Sequence, residues 1–195
     1  MADTNPRALI LRNTSWIDVM ANESSWYTLT QGEVLEQGDI FFDVPLVELP
    51  ADFPWPQDEE TEIKQIPIHS VDAVVISQTC DLQQPGKLDF VTFCPLYWLE
   101  ERPEFSSKER RNALRQGRIL RYHLLNRCFL EGHQCEFMVV EFAIPFCLPI
   151  ELTRRLAREQ GQRLRLLSPY KEHLSQSFAR FFMRVGLPSD IPEFK

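Results

Sequence analysis

Short apolar runs alternate along this chain with firm polar punctuation, a spacing that predicts an α+β protein built on antiparallel strands. Residues 26–30 and 40–49 read as strands, the second kinked at Pro45. Residues 63–69 and 73–78 read as two successive strands, followed by a turn over 83–87 and a further strand over 88–96. Residues 118–125 and 135–143 frame Glu131-Gly132 and read as a hairpin. Helices are expected over 14–21, 106–115 and 149–159, the last two stopped by Gly117 and Gly161. The clearest helix is the last. Ser168 can cap it, Pro169 suits its first position, and Leu174, Phe178, Phe181, Phe182 and Val185 share one face. Residues 51–62, with two prolines and a run of acids, read as an exposed loop. The expected architecture is one domain over 1–195. A strongly bent antiparallel sheet occupies about 26–143, and a helical part, about 149–187, packs its Phe-rich face on that sheet.

Composition adds bounds. At 195 residues, 44% hydrophobic and 25% charged, the chain resembles ordinary soluble domains and can bury a core without staples. Fourteen Phe against seven Gly imply an aromatic core. No run of about 18 apolar residues is present, so no membrane partner is expected. The opening Met1-Ala-Asp-Thr-Asn-Pro6 lacks the basic start and apolar stretch of a secretory signal, and the reading is cytoplasmic with free thiols. Charge is unevenly placed: residues 1–101 hold 18 of the 28 acids but only 4 of the 21 bases. The first half therefore repels nucleic acid and the second half can attract it or neutralise the first. A protein partner is the first expectation, with nucleic acid bound through the basic half as the second.

Three groups of residues can carry chemistry. An apolar strand ends at Ile76 and releases Ser77, Gln78, Thr79, Cys80 and Asp81 where a rigid sheet meets solvent. Cys80 with Asp81 is a candidate nucleophilic centre, with His69 moving protons if the two predicted strands pair. The plainer reading is an inert thiol beside a turn aspartate. Cys128, His133 and Cys135 form a C-x4-H-x-C string that Cys80, Cys94 or Cys147 could complete as a zinc site. Its spacing lacks the paired form of recognised sites, and no cofactor is expected. Arg121 and His123 fall on one face of a predicted strand, opposite Tyr122, near Arg118, Arg127 and the basic helix. Arg180 and Arg184 stand one turn apart on the last helix. These cations can hold phosphate or simply face water. Glycine-rich phosphate loops, G-x-S-x-G and H-E-x-x-H are absent, which argues against the commonest kinases, hydrolases and metalloproteases.

Gln37-Gly-Asp-Ile40, then Ala73-Val-Val-Ile-Ser77, then Asp89-Phe-Val-Thr-Phe-Cys-Pro-Leu96 resemble the order of strands in MazF/PemK-type toxins over roughly residues 35–98. The resemblance implies an SH3-like barrel and single-stranded RNA as the family's substrate. In that family an Arg-Pro pair usually precedes the second of these strands, and the Arg steadies phosphate charge. Val71-Asp72 stand there in this chain, and an acid repels phosphate. The C-terminal segment 163–188 is similar to the ending of uncharacterised bacterial proteins that also carry a Ser/Thr-Gln-x-Cys-Asp string. The leading expectation is a non-enzymatic binding protein on a degenerate toxin-like barrel, in a bacterial toxin–antitoxin or phage-defence setting. Its polar patch would include Ser77, Gln78, Thr79, Arg121, His123, Arg180 and Arg184. The alternatives are an RNA-cleaving nuclease or cysteine-dependent hydrolase centred on Cys80 and Asp81, and a zinc-stabilised interaction module.

Overall fold

Successive side chains of a strand point to opposite faces, and here both faces of the main sheet are covered. The computed structural model describes residues 25–53 and 66–183. Eight strands are formed: β1 (Tyr27–Thr30), β2 (Ile40–Val47), β3 (Ile68–Val75), β4 (Phe90–Trp98), β5 (Tyr122–Leu125), β6 (Met138–Glu141), β7 (Phe146–Pro149) and β8 (Arg163–Leu166). The helices are α1 (Thr79–Leu82), α2 (Lys108–Arg115), α3 (Ile150–Gln160) and α4 (Tyr170–Phe182). The main sheet runs β2-β3-β4-β6-β5, with β7 on β4 beside β6; β1 and β8 form a separate ribbon. Every strand pairing among the described residues is antiparallel.

On one face, Val74, Cys94, Leu96, Leu125, Met138 and Val140 pack with Leu164 and Leu166 of the ribbon and Leu174 of α4. On the other, Ala73, Val75, Val91, Phe93 and Leu148 pack with Ala157 of α3. Val139 continues that second face toward α2, where it meets Phe105 and Leu114. Register explains the division. Val74 lies opposite Cys94 and Ala73 opposite Pro95, so neighbouring residues of β3 serve different cores. The α2 helix is capped by Ser107, whose Oγ accepts from the Arg110 N–H at 3.2 Å.

The mixed α+β, antiparallel character is as expected, but several elements differ. Among the described residues of 63–69 and 73–78 there are not two strands. Residues 68–75 form the single strand β3, because Ser70 and Asp72 interrupt the apolar pattern without breaking the ladder. The four-residue strands β7 and β8 escape sequence reading because so few positions show no period. In α4 the Ser168 hydroxyl donates to the Glu172 carboxylate at 2.7 Å, while Pro169 takes the cap position. Leu174 is buried, but Phe182, though it touches the rings of Phe178 and Phe181, is 55% exposed. The strand order is open, with β2 and β5 at its ends, and no closed barrel is found among the described residues. The expected helix 14–21, Val185, Arg184 and most of the loop 51–62 lie outside the described residues. Among those residues, no helix is long and apolar enough to cross a membrane.

The outer border of β2 is dressed by side chains. Gln160, ending α3, accepts from the Phe42 N–H at 3.2 Å and donates to the Ile40 carbonyl at 3.4 Å. A bulge follows, where Asp43 adopts a left-handed φ of 56°. The Asp43 N–H donates to Asp72 Oδ1 at 3.2 Å, and Ser70 Oγ donates to Asp43 Oδ1 at 3.0 Å. Asp72 therefore serves the backbone of this bulge.

Candidate functional site: a cleft at the end of strand three

Three consecutive residues before β2 hold the end of β3 in place. Gln37 donates its backbone N–H to Thr79 Oγ1 at 3.2 Å and its side-chain amide to the Ile76 carbonyl at 2.8 Å. Gly38 donates to the Val75 carbonyl at 2.9 Å and accepts from the Leu166 N–H at 3.0 Å, so it joins the main sheet to the ribbon. Its φ is 84°, and a Cβ there would meet Leu166 Cβ at 2.8 Å. Conformation and space thus both demand glycine. Asp39 accepts from Arg163 Nε at 3.1 Å, from Arg165 through Nε and Nη2, and from the Glu36 N–H at 3.2 Å.

Asp39 and Arg163 are fully buried, which is tolerable only because each is saturated. Arg163 spends its remaining donors on the carbonyls of Gly32, at 2.8 Å, and Val34, at 2.7 Å. Glu36 pairs with Arg165 at 2.7 Å and with Lys171 at 3.5 Å, which extends the network to the first turn of α4. The segment Gln37-Gly38-Asp39 is in this way a clamp between β3, β8 and α4.

The clamped end carries a cleft of about 330 Å³. It is lined by Ile76, Ser77, Gln78 and Asp81 at the end of β3, by Leu88 and Thr92, and by Ser175, Phe178 and Ala179 of α4. Gln78 Nε2 donates to Ser175 Oγ at 2.8 Å and ties the two walls. Ser77 Oγ accepts from the Thr92 N–H at 2.9 Å, which fixes the strand end against β4. The single helical turn α1 follows, with the Asp81 N–H donating to the Gln78 carbonyl at 3.0 Å. Cys80 is exposed, and its thiol donates to Asp81 Oδ1 at 3.4 Å. Lys87 Nζ lies 2.5 Å from the same oxygen. The hydrogen bond from Lys87, with that from Cys80, holds the Asp81 carboxyl below its usual range, so the group is a carboxylate at neutral pH and a poor proton donor.

No histidine of the chain serves Cys80. His69 sits near the start of the single strand β3, about 20 Å of strand away from Val75, and pairs with Glu48 at 3.3 Å. The expectation that it would relay protons to Cys80 is corrected: the two segments are one strand and cannot pair with each other. His123 is largely buried and stacks on Phe142, His133 approaches Gln162 at 3.4 Å, and His173 packs on Tyr170. Burial, with His173 nearby, pushes His123 down to about 4.

The remaining cations do not gather at the cleft. Arg121 binds Glu141 through Nε and Nη2 and lies over Tyr122, so it shares the Tyr122 side rather than the His123 side expected from alternation. Arg102 completes that cluster, with Nη2 3.3 Å from the buried Glu141 and its guanidinium 4.4 Å over Tyr97. Arg180 is exposed on α4 next to the cleft-lining Ala179. Cys128 and Cys135 face each other, His133 Nε2 approaches Gln162, and no group of three or more metal-ligating side chains occurs among the described residues. Sequence reading found Ser77, Gln78 and Asp81 but missed Thr92, Ser175, Phe178 and Ala179 as cleft walls. The terminal helix was legible, but not which of its faces meets the β3 end.

No protein-family model, curated protein or solved structure matches this chain.

Proposed function

We propose that the chain is a non-enzymatic binding protein that receives a segment of a partner protein in the cleft between residues 76–81 and α4. The observation that carries this reading is the combination of an open cleft on a clamped strand end with an exposed thiol whose bonding partner is the Asp81 carboxylate, too weak a base to take the thiol proton. Nucleophilic catalysis at Cys80 needs a group that takes the thiol proton, and all four histidines are engaged elsewhere. A volume of about 330 Å³ suits a few side chains, and walls that mix Phe178 and Leu88 with hydroxyls and an amide suit a polypeptide.

The wider setting belongs to the same proposal. A toxin-like, SH3-like ancestry of bacterial origin is supported by the Gln37-Gly38-Asp39-Ile40 string and the β3 and β4 segments. Asp72 in place of the family's Arg accords with a scaffold that binds without cutting RNA. Action in the cytoplasm, within a toxin–antitoxin or phage-defence system, completes the reading.

A photoreactive phenylalanine analogue placed at Gln78, and as a control at Glu109 on α2, tests it in bacterial lysate. The expected result is one discrete polypeptide adduct from position 78. That adduct is absent from position 109 and lost when Ala179→Arg fills the cleft. A nuclease-sensitive adduct, or cleavage of single-stranded RNA by the purified chain that Cys80→Ala abolishes, would overturn the reading.

A further inference from the structure

We propose that Cys128 and Cys135 form a dithiol site that peroxide converts to an intramolecular disulfide. The two residues make an isolated antiparallel bridge. The Cys128 N–H donates to the Cys135 carbonyl at 2.9 Å, and the Cys135 N–H donates to the Cys128 carbonyl at 3.0 Å. That reciprocal pattern defines a hydrogen-bonded cross-strand pair, whose Cα atoms stand about 5.5 Å apart. The separation falls inside the roughly 4.4–6.8 Å that a disulfide spans without moving the backbone. Directly opposed residues also project their side chains to the same side. Gly132, at φ 75°, makes the reversal that brings the two together.

Access and ionisation favour this pair over the other thiols. Cys128 is buried but Cys135 is partly exposed, which gives a small oxidant a route to the pair. The Cys135 thiol donates a hydrogen bond to Cys128 and holds it below the usual thiol range, against the opposing effect of burial. Burial alone pushes Cys94 up to about 12, and that residue lies opposite Val74. Cys147 lies opposite Thr92, and Cys80 follows the end of β3, so neither has a cysteine across from it.

The chemistry balances with peroxide as oxidant. The Cys128 thiolate attacks the O–O bond, takes one oxygen as a sulfenic acid and releases the other as water once protonated. The Cys135 sulfur then attacks the Cys128 sulfur, the S–S bond forms, and the second oxygen leaves as water. Two thiols lose two electrons and two protons, and one peroxide becomes two waters.

The test treats the full native chain with stoichiometric hydrogen peroxide, then denatures and alkylates it. Digestion after glutamate separates the two cysteines at Glu131. The expected product has lost two mass units, carries three alkyl groups instead of five, and yields the 132–136 peptide linked to the one that ends at Glu131. Its formation speeds up as pH rises through neutrality, and Cys128→Ser or Cys135→Ser abolishes it. Five alkylated thiols after treatment, oxidation of Cys128 to the sulfinic acid without linkage, or a bond made through Cys80 or Cys147 would each overturn the proposal. Peptide mapping of the wild-type chain decides the matter even if a variant does not fold.

Discussion

The side-chain amide of Gln37 donates to the carbonyl of Ile76 at 2.8 Å, across 39 positions of chain and inside the protein. Gln37→Ala leaves that carbonyl unpaired and is expected to cost about 1–3 kcal/mol in urea unfolding. Gln37→Glu should cost more, because a buried carboxylate would face a carbonyl oxygen. Both variants should weaken the crosslink from position 78, since the strand end that carries the cleft loses its support.

Removal of the charge beneath that clamp should be harsher. Asp39→Asn keeps the shape but leaves the buried Arg163 without its counter-ion, and the expected loss is about 3–5 kcal/mol. The double variant Asp39→Asn, Arg163→Met should lose less than the sum of the two single changes. A double-mutant cycle in denaturant measures the difference, and strict additivity would contradict the coupling described here.

Stability should fall in mild acid through His123. Its folded pKa of about 4 lies below the ordinary 6.5, so the unfolded chain binds a proton that the folded one refuses. Between these values the unfolded state carries more protons, and stability therefore rises with pH and is lost as pH falls from about 6.5 toward 4. The full effect is of the order of 3 kcal/mol. In unfolding curves at about pH 4.5 and about pH 7, wild type should lose more stability at the lower pH than His123→Leu does.

Two residues of α4 separate the buried face from the free one. Leu174 is fully buried, and Leu174→Ala should cost about 2–5 kcal/mol. Phe182 is more than half exposed, and Phe182→Ala should change stability far less. Similar losses from both would place Phe182 in the core, as the helical pattern alone suggests.

The legible parts of this fold were those with long periods or strong punctuation. The α4 helix announced itself through Pro169 and the helical spacing of Leu174, Phe178 and Phe181, and β4 through a largely apolar nine-residue stretch broken only by Thr92. The clamp was not legible. Gln37, Gly38 and Asp39 act on Ile76, Val75 and Arg163, which are distant in sequence, and one chain without register gives no sign of such pairs. For the same reason nothing in the sequence marks Arg163 as buried, yet among the described residues it is the largest fully buried side chain. The polar string at the end of β3 was visible as a place, but its surroundings depended on where α4 docks.

Gln160 has a consequence beyond the protein's own stability. An uncovered sheet margin is a template on which another chain can add a strand. The first half of β2 offers none, since its outward N–H and carbonyl are already taken by Gln160, and Pro45 removes a further donor. Self-templated growth along that margin has to peel away the end of α3 first. Resistance to aggregation along that margin thus rests on one amide at the end of a helix and one proline within the strand.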